Sequence, residues 1–501
     1  MKTSDARFHK RVWMLVIPAL MVATICGGDE QPVNPGQLPS SVPKPKDDGP
    51  HAHTNFELEA IGQQAVQEMV IADPLESITV DSHTIKGLQI LNLPSGQIGS
   101  TADVFARYAL ATGQPAPNGA EITAHTNFKI AGKGAARSPI PIPAIGAVVN
   151  NIPSEIIARY GLAPTAPVDK GLIVIVDAYD DPTAEADLAR FNSQYHLPSC
   201  SSANGCLTIK KVDPARTLPD TDPRVDPQNC GWSVETSLDL QWVHAIAPNA
   251  KLVLVEATTS SANDLFAAIE TANNIAEGQG GGVVSLSWSF EETVDETKYD
   301  IHFQHNKILY FAASGDQGGV VEYPASSPFV ISVGGTKVTR DNADKVLSEV
   351  AWENTGGGYS VPEMRPSFQN SPTLHLEGTT GRVVPDIAGP AGIDLQLVNG
   401  SPIFVGTICS PNVGGWYAAG GTSIATPIVA AAASIAFPSG GSTLHVLENI
   451  YNRGNDSSAV KDITFGRAGN NFAKKGYDAV TGVGVPASLQ FVMPPRITPS
   501  P

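Results

Sequence analysis

The sequence predicts an α/β fold built on a mostly parallel sheet. Three observations carry this. Gly171 to Val176 reads Gly-Leu-Ile-Val-Ile-Val, a continuous β-branched run of the kind buried on both faces of a sheet. Further apolar runs follow at Lys251–Glu256, Val283–Ser287 and Ile308–Ala313. Helical patterns separate them, and strands alternating with helices imply parallel pairing.

Taken in order, the first strand runs into Asp177-Ala-Tyr-Asp-Asp-Pro. Asp181 before Pro182, with Glu185 in the first turn, predicts a helix start there. Val234, Leu238, Trp242 and Ile246 mark an apolar helix stripe. The second strand precedes a helix from about Ala262 to Ala276, and the third ends at Trp288. The fourth leads into Ser314-Gly-Asp. An Ala-rich helix is expected from Ile428 to Ala436. Sites in such sheets gather beyond the carboxyl ends of the strands, where Asp177, Trp288 and Asp316 all fall.

The chain has 501 residues, 42% hydrophobic and 16% charged, too apolar for disorder and too polar for a multi-span membrane protein. Its formal charge of −17 repels phosphate backbones and argues against nucleic-acid binding. Gly and Pro supply about one residue in six, so turns and loops are frequent. Residues 1–28 read as a signal peptide: a start with Lys2, Arg7, Lys10 and Arg11, then an apolar run from Val12 to Ile25 too short to span a bilayer. Its end, Ala23-Thr-Ile-Cys26-Gly-Gly, resembles a lipoprotein cleavage box, so the protein is expected outside the cytoplasm, secreted or lipid-anchored on Cys26. Residues 29–53 read as a Pro/Gly-rich linker. Residues 54–150 show only a helix at Phe56–Val70 and a Pro/Ile-rich stretch at Ser138–Ala147. Export permits disulfides. Cys200 and Cys206 bracket a short loop and are the expected pair, with Cys230 and Cys409 a second pairing. His196 offers a zinc alternative, but no four-ligand spacing completes it.

Ser423 stands in Gly420-Gly421-Thr422-Ser423 at a helix N-terminus, where the helix dipole favours developing negative charge. An N-cap in a tight turn fits the same residues. A nucleophilic serine needs a base. His244, His302 and His305 read as helix-packing or surface residues, and no histidine offers a base. Glu235 and Asp239 are one helical turn apart. They fit either a solvated acidic face or a proton-sharing pair; Trp232 and Trp242 nearby weigh against full solvation.

The order Glu235-x-x-x-Asp239, then Ser314-Gly-Asp316-x-Gly, then Tyr323-Pro-Ala-Ser-Ser-Pro with Val333-Gly-Gly-Thr336, then Gly-Gly-Thr-Ser423 with Pro427, resembles the sedolisin family of serine-carboxyl peptidases. The resemblance covers about residues 151–490. It implies a subtilisin-like fold with helices on both faces of the sheet, preceded by a smaller N-terminal pro-region. It assigns residues 54–160 to a propeptide-like region, 161–490 to the peptidase domain and 491–501 to a tail. Ile152-Pro-Ser-Glu-Ile-Ile-Ala-Arg-Tyr160 resembles the opening of a mature enzyme.

Residue by residue, the resemblance makes Ser423 the nucleophile, Glu235 its general base and Asp239 the carboxylate that shares a proton with Glu235. Asp316 becomes the oxyanion stabiliser, with Asp177 and Trp288 supporting the acidic network. It implies one Ca²⁺ held by Asp462 and Asp478 with carbonyls of Ile463, Lys474 and Gly476, although an ordinary Asp/Gly turn reads similarly. Protein or peptide substrates and a monomer follow from it. The chemistry is coherent: a carboxylate still accepts protons in acid, where a histidine is already protonated. A catalytically inactive relative that binds peptides or sits at the surface is the competing class, and the intact Ser423, Glu235, Asp239 and Asp316 set argues against it.

Overall fold

In the computed structural model, residues 79–80, 83–84, 124–127, 129–131, 151–163, 171–212, 231–340, 346–370, 374, 376, 380–392, 401–405 and 415–495 are described. The expected signal, linker, Phe56–Val70 helix, Ser138–Ala147 stretch, Cys230 and Cys409 lie outside them.

After a short hairpin of Thr79–Val80 with His83–Thr84 come two short strands, β1 (His125–Thr126) and β2 (Lys129–Ala131), then helix α1 (Pro153–Arg159). The main sheet begins with β3 (Leu172–Ala178), followed by α2 (Ala184–Tyr195), β4 (Leu207–Lys211), α3 (Trp232–Ile246), β5 (Lys251–Ala257) and α4 (Ala262–Gly278). It continues with β6 (Gly282–Leu286), an offshoot β7 (Trp288–Glu291), and β8 (Ile308–Ala313). Then come β9 (Glu322–Tyr323), β10 (Ile331–Arg340), β11 (Val346–Ala351) and β12 (Ile387–Pro390). A hairpin of β13 (Ser401–Val405) and β14 (Gly415–Gly420) leads into α5 (Thr422–Ala436) and α6 (Thr443–Arg453).

The eight-stranded sheet runs β11-β10-β8-β6-β3-β5-β4, with β12 also on β10. Every pairing is parallel except β10 with β11. Ile173 and Ile175 of β3 join the core formed with α3 and α5, whereas Leu172, Val174 and Val176 join the core with α4. Helices therefore cover both faces, and each strand needs apolar residues on both sides.

Several element ends differ from the sequence reading. Helix α2 starts at Ala184, because Asp181 Oδ1 accepts from both Thr183 N and Thr183 Oγ1 and spends Asp181 in the turn ahead of the helix. Helix α5 starts at Thr422 and contains Pro427 in its sixth position. The third strand stops at Leu286, and Trp288 opens the separate β7. Helix α1 carries Ile156 into the same core as α3. The Cys200–Cys206 disulfide is formed, with Cα atoms 5.0 Å apart. Among the described residues, no helix is long and apolar enough to cross a membrane.

Candidate active site

The site lies where α5 begins. Gly421 precedes the helix at φ 124°, a backbone conformation that L side chains resist. That turn carries the chain from β14 into α5 and puts Ser423 in the first helical turn. Pro427 has no N–H to give to the Ser423 carbonyl four residues earlier. That carbonyl is met instead by the Ser287 hydroxyl at 3.5 Å. The same hydroxyl donates to Asp239 Oδ1 at 2.7 Å, and Ser423 Oγ donates to the Ser287 carbonyl oxygen at 2.8 Å. Ser287, at the carboxyl end of β6, thus ties the serine to the acidic helix. Ser287 stands in no motif of its own.

Every residue of α3 is buried, Glu235 and Asp239 included, so the solvated acidic face is excluded. Burial pushes Glu235 well above the ordinary carboxyl range, and Asp239 and Asp177 push it further; the nearby Ser423 hydroxyl pulls the other way. Neither Glu235 oxygen has a hydrogen-bond partner, since Ser423 Oγ directs its proton to Ser287. Burial likewise raises Asp239 well above its usual value, with Asp177 adding to the shift and the Ser287 hydroxyl opposing it. Asp177, at the end of β3, is pushed up to about 7 by burial. Three buried carboxyls that form no ion pair among the described residues retain protons that isolated carboxyls would lose.

Asp316 follows β8 and meets Thr422, the residue before the serine. Its Oδ1 accepts from Thr422 N at 2.8 Å and Thr422 Oγ1 at 2.9 Å. Trp288 is fully buried, and its indole N–H donates to the Val176 carbonyl at 2.9 Å, packing rather than chemistry. The structure therefore brings Ser423, Glu235, Asp239, Asp316 and Asp177 together.

A polar chain missed by sequence reasoning adjoins them. Ser289 of β7 donates to Glu322 of β9, whose carboxyl is fully buried. A Cβ on Gly315, in the Ser314-Gly-Asp316 motif, would come within 2.5 Å of Glu322 Oε2, so only glycine leaves that carboxylate its place. His125 lies 3.6 Å from the same oxygen. Burial disfavours the charged imidazole, but Glu322 outweighs it and raises the His125 pKa. Of the histidines weighed from the sequence, His244 is buried against the Pro198 carbonyl, and His302 and His305 pair with Glu270 and Glu277 of α4.

The expected calcium residues form one loop cluster. Asp478 Oδ1 accepts from Val480 N and Thr481 N, and its Oδ2 accepts from Lys474 N. Asp462 Oδ2 accepts from Gly476 N, whereas Asp462 Oδ1 is buried with no partner. A buried carboxylate oxygen left without a partner in this cluster fits a hard cation. Cys200, Cys206 and His244 cluster as well, but the disulfide uses both sulfurs and leaves no thiolate for zinc.

The Subtilase family model matches residues 229–446. Kumamolisin from Bacillus sp. (strain MN-32) is 27% identical over 336 residues, covering 60% of this chain and 56% of kumamolisin. Sedolisin from Pseudomonas sp. (strain 101) is 34% identical over 175 residues, 32% of this chain and 27% of that protein. The chain thus spans from about a quarter to just over half of these relatives. The solved structure of Pseudomonas sedolisin, a serine-carboxyl proteinase complexed with two molecules of pseudo-iodotyrostatin, superposes with a TM-score of 0.54 at 25% identity. That match covers 68% of this chain and 96% of the sedolisin chain.

Proposed function

Since the chain belongs to the sedolisin family, we propose that it is an exported, acid-acting serine-carboxyl endopeptidase. The observation that carries this reading is Ser423 at the N-terminus of α5, with the buried Glu235–Asp239 pair tied to it through Ser287 and Asp316 bonded to Thr422 beside it. Ser423 Oγ attacks the substrate carbonyl once its hydroxyl swings from Ser287 toward Glu235. Glu235 takes the proton, and Asp239 stabilises the shared charge. Ser423 N–H and a protonated Asp316 donate to the developing oxyanion. Glu235 then returns the proton to the leaving amine, and water hydrolyses the acyl-enzyme by the reverse sequence.

Calcium fits the loop of Asp462, Ile463, Lys474, Gly476 and Asp478. When bound it supplies a hard positive charge that locks the turn. Protein or peptide substrates, a monomeric state and a location outside the cytoplasm complete the proposal.

The test is a pH–rate profile on denatured protein with a Ser423→Ala control. Activity should be confined to acid and fall by at least roughly 10⁴-fold in the variant. Substantial residual cleavage by pure variant would remove Ser423 from the mechanism.

A further inference from the structure

A second group of buried acids is carried by elements other than α3. Past β7 the chain enters a 3₁₀ helix, Glu296–Phe303, which carries Asp300. Strand Gly358–Met364, paired antiparallel with Gly381–Val384, carries Glu363. Asp300 is 7% exposed and Glu363 2%. Their carboxyls are hydrogen-bonded to each other. An ionised carboxylate only accepts, so that bond exists only while one of the two carries a proton. Asp300 Oδ1 already accepts from Ser327 Oγ at 2.6 Å and from Tyr323 OH at 3.0 Å. Those donors favour the charged form of Asp300, which leaves the proton on Glu363 and makes Glu363 the donor.

Both carriers lead to the loop that holds Asp316. Tyr323, bonded to Asp300, belongs to β9, where that loop ends. Strand Gly358–Met364 grows out of Gly356 and Gly357. Gly356 N donates to the Gly315 carbonyl at 2.7 Å, and Gly357 N to the Val320 carbonyl at 2.8 Å. Ser314 Oγ donates to the Gly356 carbonyl at 3.0 Å. The loop therefore has one wall tied to Asp300 and another tied to Glu363. Further acids face the pair. Glu296 accepts from Thr293 N and Ser326 Oγ, and Glu292 accepts from Val361 N at 3.3 Å. Arg382 attracts the charge of Glu363 but is held by Asp386, and Lys298 and His302 of the 3₁₀ helix pair with Asp295 and Glu270. Burial pushes Asp300 up to about 6. Burial, with Asp300 and Glu292, carries Glu363 well above the carboxyl range.

We propose that Asp300 and Glu363 are positioning residues for the peptidase, a proton-dependent clasp that joins β9 to strand Gly358–Met364 and holds the Asp316 loop between them. This rests on the peptidase reading. Both residues act through the loop rather than on the substrate. In acid the clasp is closed. As pH rises the shared proton leaves, two buried carboxylates face each other, and strand and loop loosen. The closed form binds a proton that an open form with ordinary carboxyls has released above about pH 4. Closure therefore weakens as pH rises, by up to about 10-fold per pH unit from there to the folded value. Loosened walls raise KM, whereas the titration of Asp316 itself acts on kcat.

Hydrogen exchange on the full-length Ser423→Ala chain, corrected for intrinsic exchange, reads the clasp. Protection of residues 358–364 and 317–323 should fall by roughly 10-fold or more between about pH 5 and pH 7, a steeper fall than in β3. Glu363→Gln offers Asp300 an N–H at every pH, so its protection there should stay level. On a peptide substrate, Glu363→Gln should match the wild-type KM near pH 4 and hold it toward neutral pH, where the wild-type KM climbs. Both enzymes should lose kcat alike. Glu363→Ala should raise KM roughly 10-fold near pH 4, where Gln does not. Should the Ala variant fail to fold, the Gln comparison decides. Protection of 358–364 that ignores pH, a Gln variant with the wild-type pH response, or an Ala variant with the wild-type KM overturns the proposal. Any of these in an enzyme that cleaves peptides leaves the peptidase reading intact. No hydrolysis of any substrate overturns both.

Discussion

A carboxylate beside a developing oxyanion repels it unless it carries a proton, and the proposed mechanism puts Asp316 in that position. Thr422 donates twice to Asp316 Oδ1, which fixes that oxygen as an acceptor and assigns any proton to Oδ2. Activity should therefore fall as pH rises through the Asp316 pKa, with an optimum below about pH 6. Asp316→Asn keeps a donor without titrating; it should retain activity and extend it toward neutral pH, whereas Asp316→Ala should lose roughly 10²-fold in kcat. Profiles of the three enzymes on one peptide check this, and an Asn variant with an unchanged alkaline limb would remove Asp316 from the titration. In the proposed mechanism the acidic limb belongs to Glu235 and Asp239 jointly, because the two buried carboxyls influence each other's ionisation. At this scale the sequence was informative where spacing carried information. Glu235 and Asp239 lie one turn apart, and Ser423 and Asp316 sit in glycine-framed motifs. Ser287, Ser289 and Glu322 were illegible because their roles come from burial and chain reversal, which one-dimensional spacing does not encode.

Elements were legible where burial on two faces forces a continuous apolar run, as in β3, β5 and β8. The start of α5 was not, since Pro427 reads as a helix opening; the structure instead uses it to release the Ser423 carbonyl inside the helix. The loop from Asp462 to Asp478 is a harder case. Nothing in its periodicity distinguishes a cation site from a turn, and the distinguishing sign is the orphaned Asp462 Oδ1. If calcium fills that place, chelation should lower the melting temperature by several degrees. A ligand at 100 times its Kd contributes about 2.7 kcal/mol to the native state. Asp462→Asn should lower the melting temperature in calcium and blunt the response to chelator. Elemental analysis without metal, together with a melting curve indifferent to chelator, would leave the loop an ordinary turn.

Across the whole molecule, acids are buried in numbers that only make sense in acid. Burial raises Asp177 and Asp181 to about 7, Glu256 to about 8 and Asp300 to about 6. It carries Glu235, Asp239, Glu296 and Glu363 well above the carboxyl range. Among the described residues, Asp177, Glu235, Asp239 and Glu296 form no ion pair. Arg382, fully buried, is held by Asp386 instead. For each raised carboxyl the folded state binds a proton that the unfolded chain has already released above about pH 4. The native state therefore holds more protons between that value and the folded pKa, and stability must fall as pH rises through the interval. Each unit of upward shift costs at most about 1.4 kcal/mol once the group is forced to ionise. Surface repulsion from a formal charge of −17 acts in the same direction. The melting temperature should be highest near pH 4 and decline steadily to pH 8. The Ser423→Ala variant is the form to measure, so that autolysis does not mimic unfolding. Restoring one compensated site should flatten the slope: Glu296→Gln keeps an acceptor for Thr293 N and a group for Ser326 while removing the charge. A melting temperature that rises from pH 4 to 8, or a Gln variant with an unchanged slope, would mean that these buried acids do not set the pH response.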